Sequence, residues 1–152
     1  RIAVIERHKK TGRIGLGYVH GFGLERGAIA SSVCHDAHNI MVVGARDASG
    51  PADMSAAVQR LTEIGGGQVL VHNGKVLAEV PLPVAGLMSD QSLETVADQL
   101  DNMEHVSHQF GIRIAAPFML LSFLGLSVIP ELRITDLGLI DVDKWSPIPV
   151  AL

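Results

Sequence analysis

The chain alternates between short apolar runs and longer segments in which apolar positions recur every three or four residues. Short apolar runs bounded by glycine, asparagine or charged residues predict β-strands, whereas the longer spacing predicts amphipathic helices. We predict strands at residues 1–5, 14–19, 28–34, 40–43, 68–72 and 75–80. Paired strands interspersed with helices predict an α+β fold, with mixed, mostly antiparallel β-sheet layers and two main α-helices.

A hairpin and a helix have clear local signals. Asn73 and Gly74 separate the last two predicted strands, and because both residues tolerate positive φ they predict a type I′ turn. The first helix is predicted to begin at residues 49–51, with Pro51 in its first turn. It is predicted to end at the three glycines of residues 65–67.

The second predicted helix has Ser89 as its N-cap and ends at Gly111. Its apolar face is predicted to consist of Leu93, Val96, Ala97, Leu100, Met103 and Phe110. Residues 118–126 are very apolar, and the tail after Pro130 predicts loops with short strands. No repeat or linker divides the chain, so we predict a single domain over residues 1–152.

Composition limits the partners that this domain can have. Hydrophobic residues make up 47% of the chain, yet its longest apolar run, residues 115–126, is shorter than the ~18 residues that span a bilayer. We therefore expect no membrane partner, and we expect another domain or subunit to cover apolar surface. The net charge of −4 argues against a nucleic-acid partner. A single cysteine fits a reducing compartment, and a start at Arg1 inside a predicted strand suggests part of a longer protein.

Polar chemistry is concentrated at residues 31–39, between two apolar strands. This segment contains hydroxyls, a thiol, two imidazoles, a carboxylate and a carboxamide, but neither Lys nor Glu. Buried polar groups need partners or a ligand because leaving one unpaired costs a few kcal/mol. Three interpretations stay open: a turn that bonds its own backbone, a ligand-contacting surface, or a metal site in which Cys34 joins His35 and His38.

Other motifs favour structural roles. His105 and His108 lie near the negative end of the second predicted helix, where imidazoles favour capping over metal ligation. The glycines within residues 15–17 and 21–23 do not complete G-x-G-x-x-G, so they predict turns or close backbone approaches. Cys34 cannot use the adjacent His35 as a base along an extended strand, so we do not expect a cysteine hydrolase.

The polar segment also belongs to a pattern that extends over nearly the whole chain. The pattern includes His35-Asp36-x-His38-Asn39, within the stretches 14–19, 21–33, 35–40, 63–67, 82–89, 118–124, 128–132 and 135–139. In this combination the chain resembles the C-terminal domain of adenine deaminases, which are members of the amidohydrolase superfamily. Cys34 departs from the pattern, in which a small residue such as alanine is usual at this position.

The resemblance implies a cytoplasmic enzyme that hydrolyses adenine to hypoxanthine and ammonia in purine salvage. It also implies a dinuclear manganese or iron site in a (β/α)₈ barrel that precedes this domain. Because such barrels run to ~250 residues, we expect the metal ligands and catalytic residues outside this chain, which alone would be inactive. The implied partners are adenine, the barrel of the same polypeptide and further copies of the protein.

By the same resemblance, the polar segment would cover the mouth of the barrel and help to bind the substrate. The candidate residues for substrate contact or its support are Ser31, Ser32, His35, Asp36, His38 and Asn39. An alternative is an assembly module, in which apolar surface around Phe118 and Phe123 serves oligomerisation. A third hypothesis is a free-standing protein that binds a metal or another ligand.

Overall fold

As far as residue 110, strands and helices follow one another in the order that the apolar pattern predicts. The computed structural model describes residues 1–150, in which it contains nine strands and three helices. The strands are β1 (Ile2–Ile5), β2 (Ile14–Gly17), β3 (Ala28–Ser31), β4 (Ile40–Gly44), β5 (Gly67–His72), β6 (Lys75–Pro81), β7 (Leu132–Thr135), β8 (Gly138–Asp141) and β9 (Ser146–Ile148). The helices are α1 (Gly50–Glu63), α2 (Leu93–Gln109) and α3 (Pro117–Leu124). The predicted α+β fold is confirmed.

The larger sheet is antiparallel throughout and has the strand order β2-β1-β4-β3-β5-β6. Ile5 lies opposite Ile14 on one side and Ile40 on the other. The loop after β1 and the turn before β4 therefore leave the sheet at the same end. Strands β7, β8 and β9 form a separate antiparallel sheet, which packs beside β1 and β2.

Helices cover the two faces of the larger sheet, and the alternation of side chains along its strands decides which residues each face buries. Helix α1 packs over β3, β4 and β5, where small residues such as Ala28 and Ala30 admit Leu61. On the opposite face, larger residues such as Ile29 and Leu70 pack with α2 and α3. The domain thus has one apolar layer on each side of the sheet.

The predicted hairpin and first helix are confirmed. Asn73 and Gly74 have φ values of 50° and 72°, as a type I′ turn requires, and they join β5 to β6. Helix α1 has Pro51 in its first turn, and Gly65 follows its end with a φ of 80°. Local turn chemistry therefore determined these elements.

The predicted start of the second helix was wrong. Its N-cap is Ser92, whose extended backbone lets the hydroxyl accept a hydrogen bond from the Thr95 amide at 3.3 Å. Ser89 instead accepts from the Gln91 amide at 3.1 Å, in the turn that precedes the helix. The predicted apolar face also needs correction, because Leu93 is 81% exposed and the helix is buried mainly in its second half.

Residues 118–126 contain a third helix, α3, which the apolar composition did not predict. Phe118 is buried beneath it, whereas Phe123 remains 40% exposed. Phe118 is therefore not part of the apolar surface that the assembly hypothesis requires, because its ring already lies in the core of the domain. None of the helices in residues 1–150 combines the length and the apolarity needed to cross a bilayer.

Candidate functional site

The polar segment forms one turn at the end of the larger sheet, between β3 and β4. Its six candidate residues divide by depth. Ser31, Ser32 and Asn39 are buried, whereas Asp36 is exposed and the rings of His35 and His38 are half-buried. The turn therefore has a buried base and a polar surface, and only the surface residues are placed to meet another molecule.

The two serines hold the base of the turn. The Ser32 hydroxyl donates to the Gly86 carbonyl at 2.6 Å and accepts from the Gly67 amide at 2.7 Å. The Ser31 hydroxyl accepts from the Val33 amide at 3.0 Å. Ser32 thus joins the turn to β5 and to the connector after β6, which the sequence predicts to be rigid because of its prolines.

Asn39 links the turn to the smaller sheet. Its side-chain amide donates to Asp136 Oδ1 at 3.2 Å, and Arg13 Nε donates to Asp136 Oδ2 at 2.7 Å. Asp136 lies in the turn between β7 and β8, so this network fixes the smaller sheet against the site. The carbonyl oxygen of Asn39 is buried without a hydrogen-bond partner in the described part of the chain.

His35 packs against α3. Its Nδ1 forms a hydrogen bond with the hydroxyl of Ser122, and its ring stacks on Phe123 with 5.5 Å between centroids. Gly125 allows this approach, since a Cβ there would lie 2.5 Å from the Cys34 sulfur. Helix α3 therefore sets the orientation of the His35 ring and leaves Nε2 for another partner.

His38 begins the chain's return into β4 with a φ of 50°. Its Nδ1 is buried and, among residues 1–150, has no hydrogen-bond partner. Burial lowers the pKa of His38, and the nearby groups of His35 and Arg7 lower it further. The His38 ring is therefore neutral at pH 7, so one ring nitrogen accepts hydrogen bonds and the other donates them.

Two residues that sequence reasoning missed reach the turn from the loop after β1. Arg7 Nε donates to the His38 carbonyl at 2.5 Å, and Arg7 Nη2 donates to the Ala85 carbonyl at 2.7 Å. A ring nitrogen of His8 lies 2.8 Å from the Ala37 carbonyl. The sequence does contain a charged run directly after an apolar strand, but only the pairing of β1 with β4 brings that run to the turn.

Neither nucleophilic nor metal chemistry is supported at the turn. Cys34 is buried, and burial together with the charge of Asp36 raises the pKa of its thiol to about 12. The thiol therefore stays protonated and is a poor nucleophile. The rings of His35 and His38 have centroids 6.2 Å apart. Across residues 1–150, no group of three or more His, Cys, Asp and Glu side chains is arranged to hold a metal ion.

The other motifs have structural roles. A Cβ at Gly15 would lie 1.8 Å from the Thr135 carbonyl oxygen, so glycine permits the close approach of β7 that was one of the predicted options. His108 lies in the last turn of α2, and the capping role of the α2 histidines stays a prediction. His105 contacts the amide of Gln109, and it is Arg26 that donates to the Gln109 carbonyl at 3.3 Å.

Comparison with known proteins identifies relatives along the whole length of the chain. Residues 1–146 match the family described as the adenine deaminase C-terminal domain. The chain is 56% identical over 146 residues to an adenine deaminase of Brucella anthropi, which covers 96% of this chain and 25% of that protein. It is 57% identical over 146 residues to an adenine deaminase of Desulfatibacillum aliphaticivorans, covering 96% of this chain and 25% of that relative. It is 49% identical over 153 residues to adenine deaminase 2 of Carboxydothermus hydrogenoformans, covering 100% of this chain and 26% of the relative. The chain thus spans about a quarter of the length of the curated relatives it matches.

Proposed function

The chain belongs to the adenine deaminase C-terminal domain family, and from that premise we propose that it is part of an enzyme that hydrolyses adenine to hypoxanthine and ammonia. The match over residues 1–146, together with relatives that are named adenine deaminase, carries this proposal. The reaction belongs to the whole polypeptide, of which this domain is about a quarter. Cytoplasmic purine salvage is the process in which the reaction would serve.

In this proposal the domain covers the active site through the surface of its polar turn. Adenine is a flat, neutral heterocycle with ring acceptors and an exocyclic amine, so its recognition needs a few fixed donors and acceptors. Asp36 offers a carboxylate acceptor, and the neutral ring of His38 offers both an acceptor and a donor. Ser31, Ser32 and Asn39 would act indirectly, because their hydrogen bonds hold the turn in place.

A covering domain also changes the environment of the reaction. Excluding water strengthens electrostatic interactions within a site and prevents unproductive entry of solvent. The turn suits this task because three hydrogen bonds join it to residues outside it: Arg7 to the His38 carbonyl, a His8 ring nitrogen to the Ala37 carbonyl, and the Ser32 hydroxyl to the Gly86 carbonyl. A rigid turn can close a pocket in the same geometry at every turnover.

The metal centre is proposed to lie elsewhere. We propose that a dinuclear manganese or iron site has its ligands outside this chain, in the preceding barrel. The residues of the turn do not fit such a site, since no suitable cluster of ligands occurs within residues 1–150. We therefore assign no step of the reaction at the metal to these side chains.

The proposal predicts a loss of activity when the surface of the turn is truncated. In the full-length enzyme, Asp36→Ala and His38→Ala should each lower kcat/KM for adenine by about 10- to 100-fold, the cost of a lost hydrogen bond to substrate or to a group that orients it. The measurement is the steady-state conversion of adenine to hypoxanthine. His105→Ala is the matched control, since that histidine is exposed on α2, and it should leave kcat/KM unchanged. Wild-type kcat/KM in both turn variants, with normal folding, would refute the role of the turn.

A second candidate function is assembly of the protein into oligomers. It is favoured by exposed apolar side chains on α3 and shortly after it: Met119 is 53% exposed, Phe123 40% and Val128 60%. The kinetic measurement separates the two functions. An assembly module that never meets the substrate predicts unchanged kcat/KM in Asp36→Ala and His38→Ala.

A further inference from the structure

An open apolar groove of about 870 Å³ lies on the face of the larger sheet that carries α1. It exists because α1 packs over β3, β4 and β5 and leaves the outer strands β1 and β2 uncovered on that face. Its apolar lining includes Ile5, Ile14, Leu16, Tyr18, Met54 and Val58. The polar turn described above does not line it, so the groove is a separate surface.

The exposure of this lining is unusual for a free surface. Ile14 is 54% exposed, Leu16 61% and Tyr18 65%, and all three lie on or directly beside an edge strand. Exposed apolar edge strands are aggregation hazards, which proteins commonly reduce with charges or by covering the strand. Arg1 is the charged residue among those that line the groove. We therefore expect another part of the protein or another molecule to cover the groove.

Two observations identify the occupant. The matching family is a C-terminal domain, and the relatives are about four times as long as the chain. A polypeptide that precedes a domain of this kind joins it next to the first strand, β1, and Ile2 and Ala3 of that strand line the groove. In addition, Ile5 and Ile14 lie at the end of the sheet where Arg7 and His8 contact the polar turn. A body that fills the groove can therefore extend onto the turn.

We propose that the groove is the docking surface for the part of the same polypeptide that precedes residue 1. This inference deepens the proposed function, on which it rests for the identity of that preceding part, by naming the face through which the barrel holds this domain. Apolar contacts along β2 anchor the two parts, and the turn at the end of the same sheet is then held against the active site.

Hydroxyl-radical footprinting of the full-length protein tests the docking surface without any substitution. Leu16 and Tyr18 should be oxidised at least fivefold more slowly in the folded protein than in the urea-unfolded protein. Leu93, which is 81% exposed and lies on α2 on the other face of the sheet, is the internal control and should keep most of its reactivity. The footprint is recorded on the monomeric fraction as well as on any oligomer. The proposal would be overturned if Leu16 and Tyr18 were oxidised as fast as Leu93. It would also be overturned if the two residues were protected in an oligomer but not in the monomer, because the occupant of the groove would then be a second copy.

A substitution supplies the second readout. Leu16→Asp in the full-length protein should restore the oxidation of Tyr18 and split thermal unfolding into two transitions. Leu93→Asp, where an acidic residue suits the first turn of a helix, should do neither. A single unfolding transition with Tyr18 still protected in Leu16→Asp would contradict docking at the groove. These measurements require no catalytic activity, so they fail or succeed separately from the deaminase assay.

Discussion

Glu6 organises the loop that reaches the polar turn. One carboxylate oxygen accepts hydrogen bonds from the amides of His8 and Lys9 at 2.5 and 2.6 Å. The other accepts from the amide and hydroxyl of Thr11 at 3.0 and 2.9 Å. These donors lower the pKa of Glu6 to about 2. The loop held in this way carries Arg7 and His8, so one carboxylate fixes the contacts that position the turn.

The low pKa of Glu6 predicts a change in acid stability. A carboxylate whose folded pKa lies near 2, below the ordinary 4.5, stabilises the fold fully above pH 4.5 and loses that contribution as the pH falls towards 2. Glu6→Gln should therefore lower the unfolding temperature at pH 7, and the difference from wild type should shrink between pH 4.5 and 2. Thermal unfolding across pH 2–7 measures it. Glu25→Gln, the same exchange at an exposed carboxylate, is the control. A wild-type unfolding temperature at pH 7 in Glu6→Gln would show that these hydrogen bonds do not stabilise the loop.

The residues of the site also show which contacts could be predicted from the sequence and which could not. The turn was found from sequence because polar residues between two apolar strands must have partners or a ligand. Arg7 and His8 were missed because their contacts depend on the pairing of β1 with β4, which are separated by more than thirty residues. A charged residue after a strand is typical of solvent-exposed loops, so nothing local distinguishes these two.

Helix α2 is buried along only part of its length. Met103 and Ser107 are buried in its second half, whereas Leu93 and Leu100 are largely exposed. The helical period was visible in the sequence, but which part of the apolar stripe is buried depends on where β5 and β6 pack against the helix. Helix α3 was not predicted for a related reason: residues 118–126 are apolar in almost every position, so no period distinguishes a helix from a strand.

The N-cap of α2 gives a test at this scale. Ser92→Ala should destabilise the protein by about 1 kcal/mol, because the Thr95 amide at the helix start loses its acceptor. Ser89→Ala, three residues earlier in the same segment, should cost less than about half of that, since it removes only a turn contact. Urea unfolding of both variants supplies the free energies. A larger loss in Ser89→Ala than in Ser92→Ala would place the N-cap where the sequence first suggested it.

For the whole molecule, the fold class and the family could be predicted from the sequence, but the strand order could not. Hairpins such as β5–β6 follow from local turn residues. The pairings of β1 with β4 and of β3 with β5 join distant segments, and they decide which loops share an end of the sheet. That shared end places Ile5 and Ile14, which line the groove, at the same end of the sheet as the turn. A domain that buries apolar layers on both faces of its sheet and still exposes an apolar groove is suited to close against a larger neighbour.

The central claim is that the turn faces the deaminase centre in the intact protein. Ethoxycarbonylation of histidines by diethyl pyrocarbonate in the full-length enzyme, followed by mass spectrometry at each site, tests it most directly. The reagent attacks neutral imidazole, and the lowered pKa of His38 keeps that ring neutral at pH 7. Saturating hypoxanthine, the product, should slow the modification of His35 and His38 severalfold while leaving His105 on α2 unaffected. Equal rates at His35 and His38 with and without hypoxanthine, as fast as at His105, would show that the turn lies open to solvent and away from the active site.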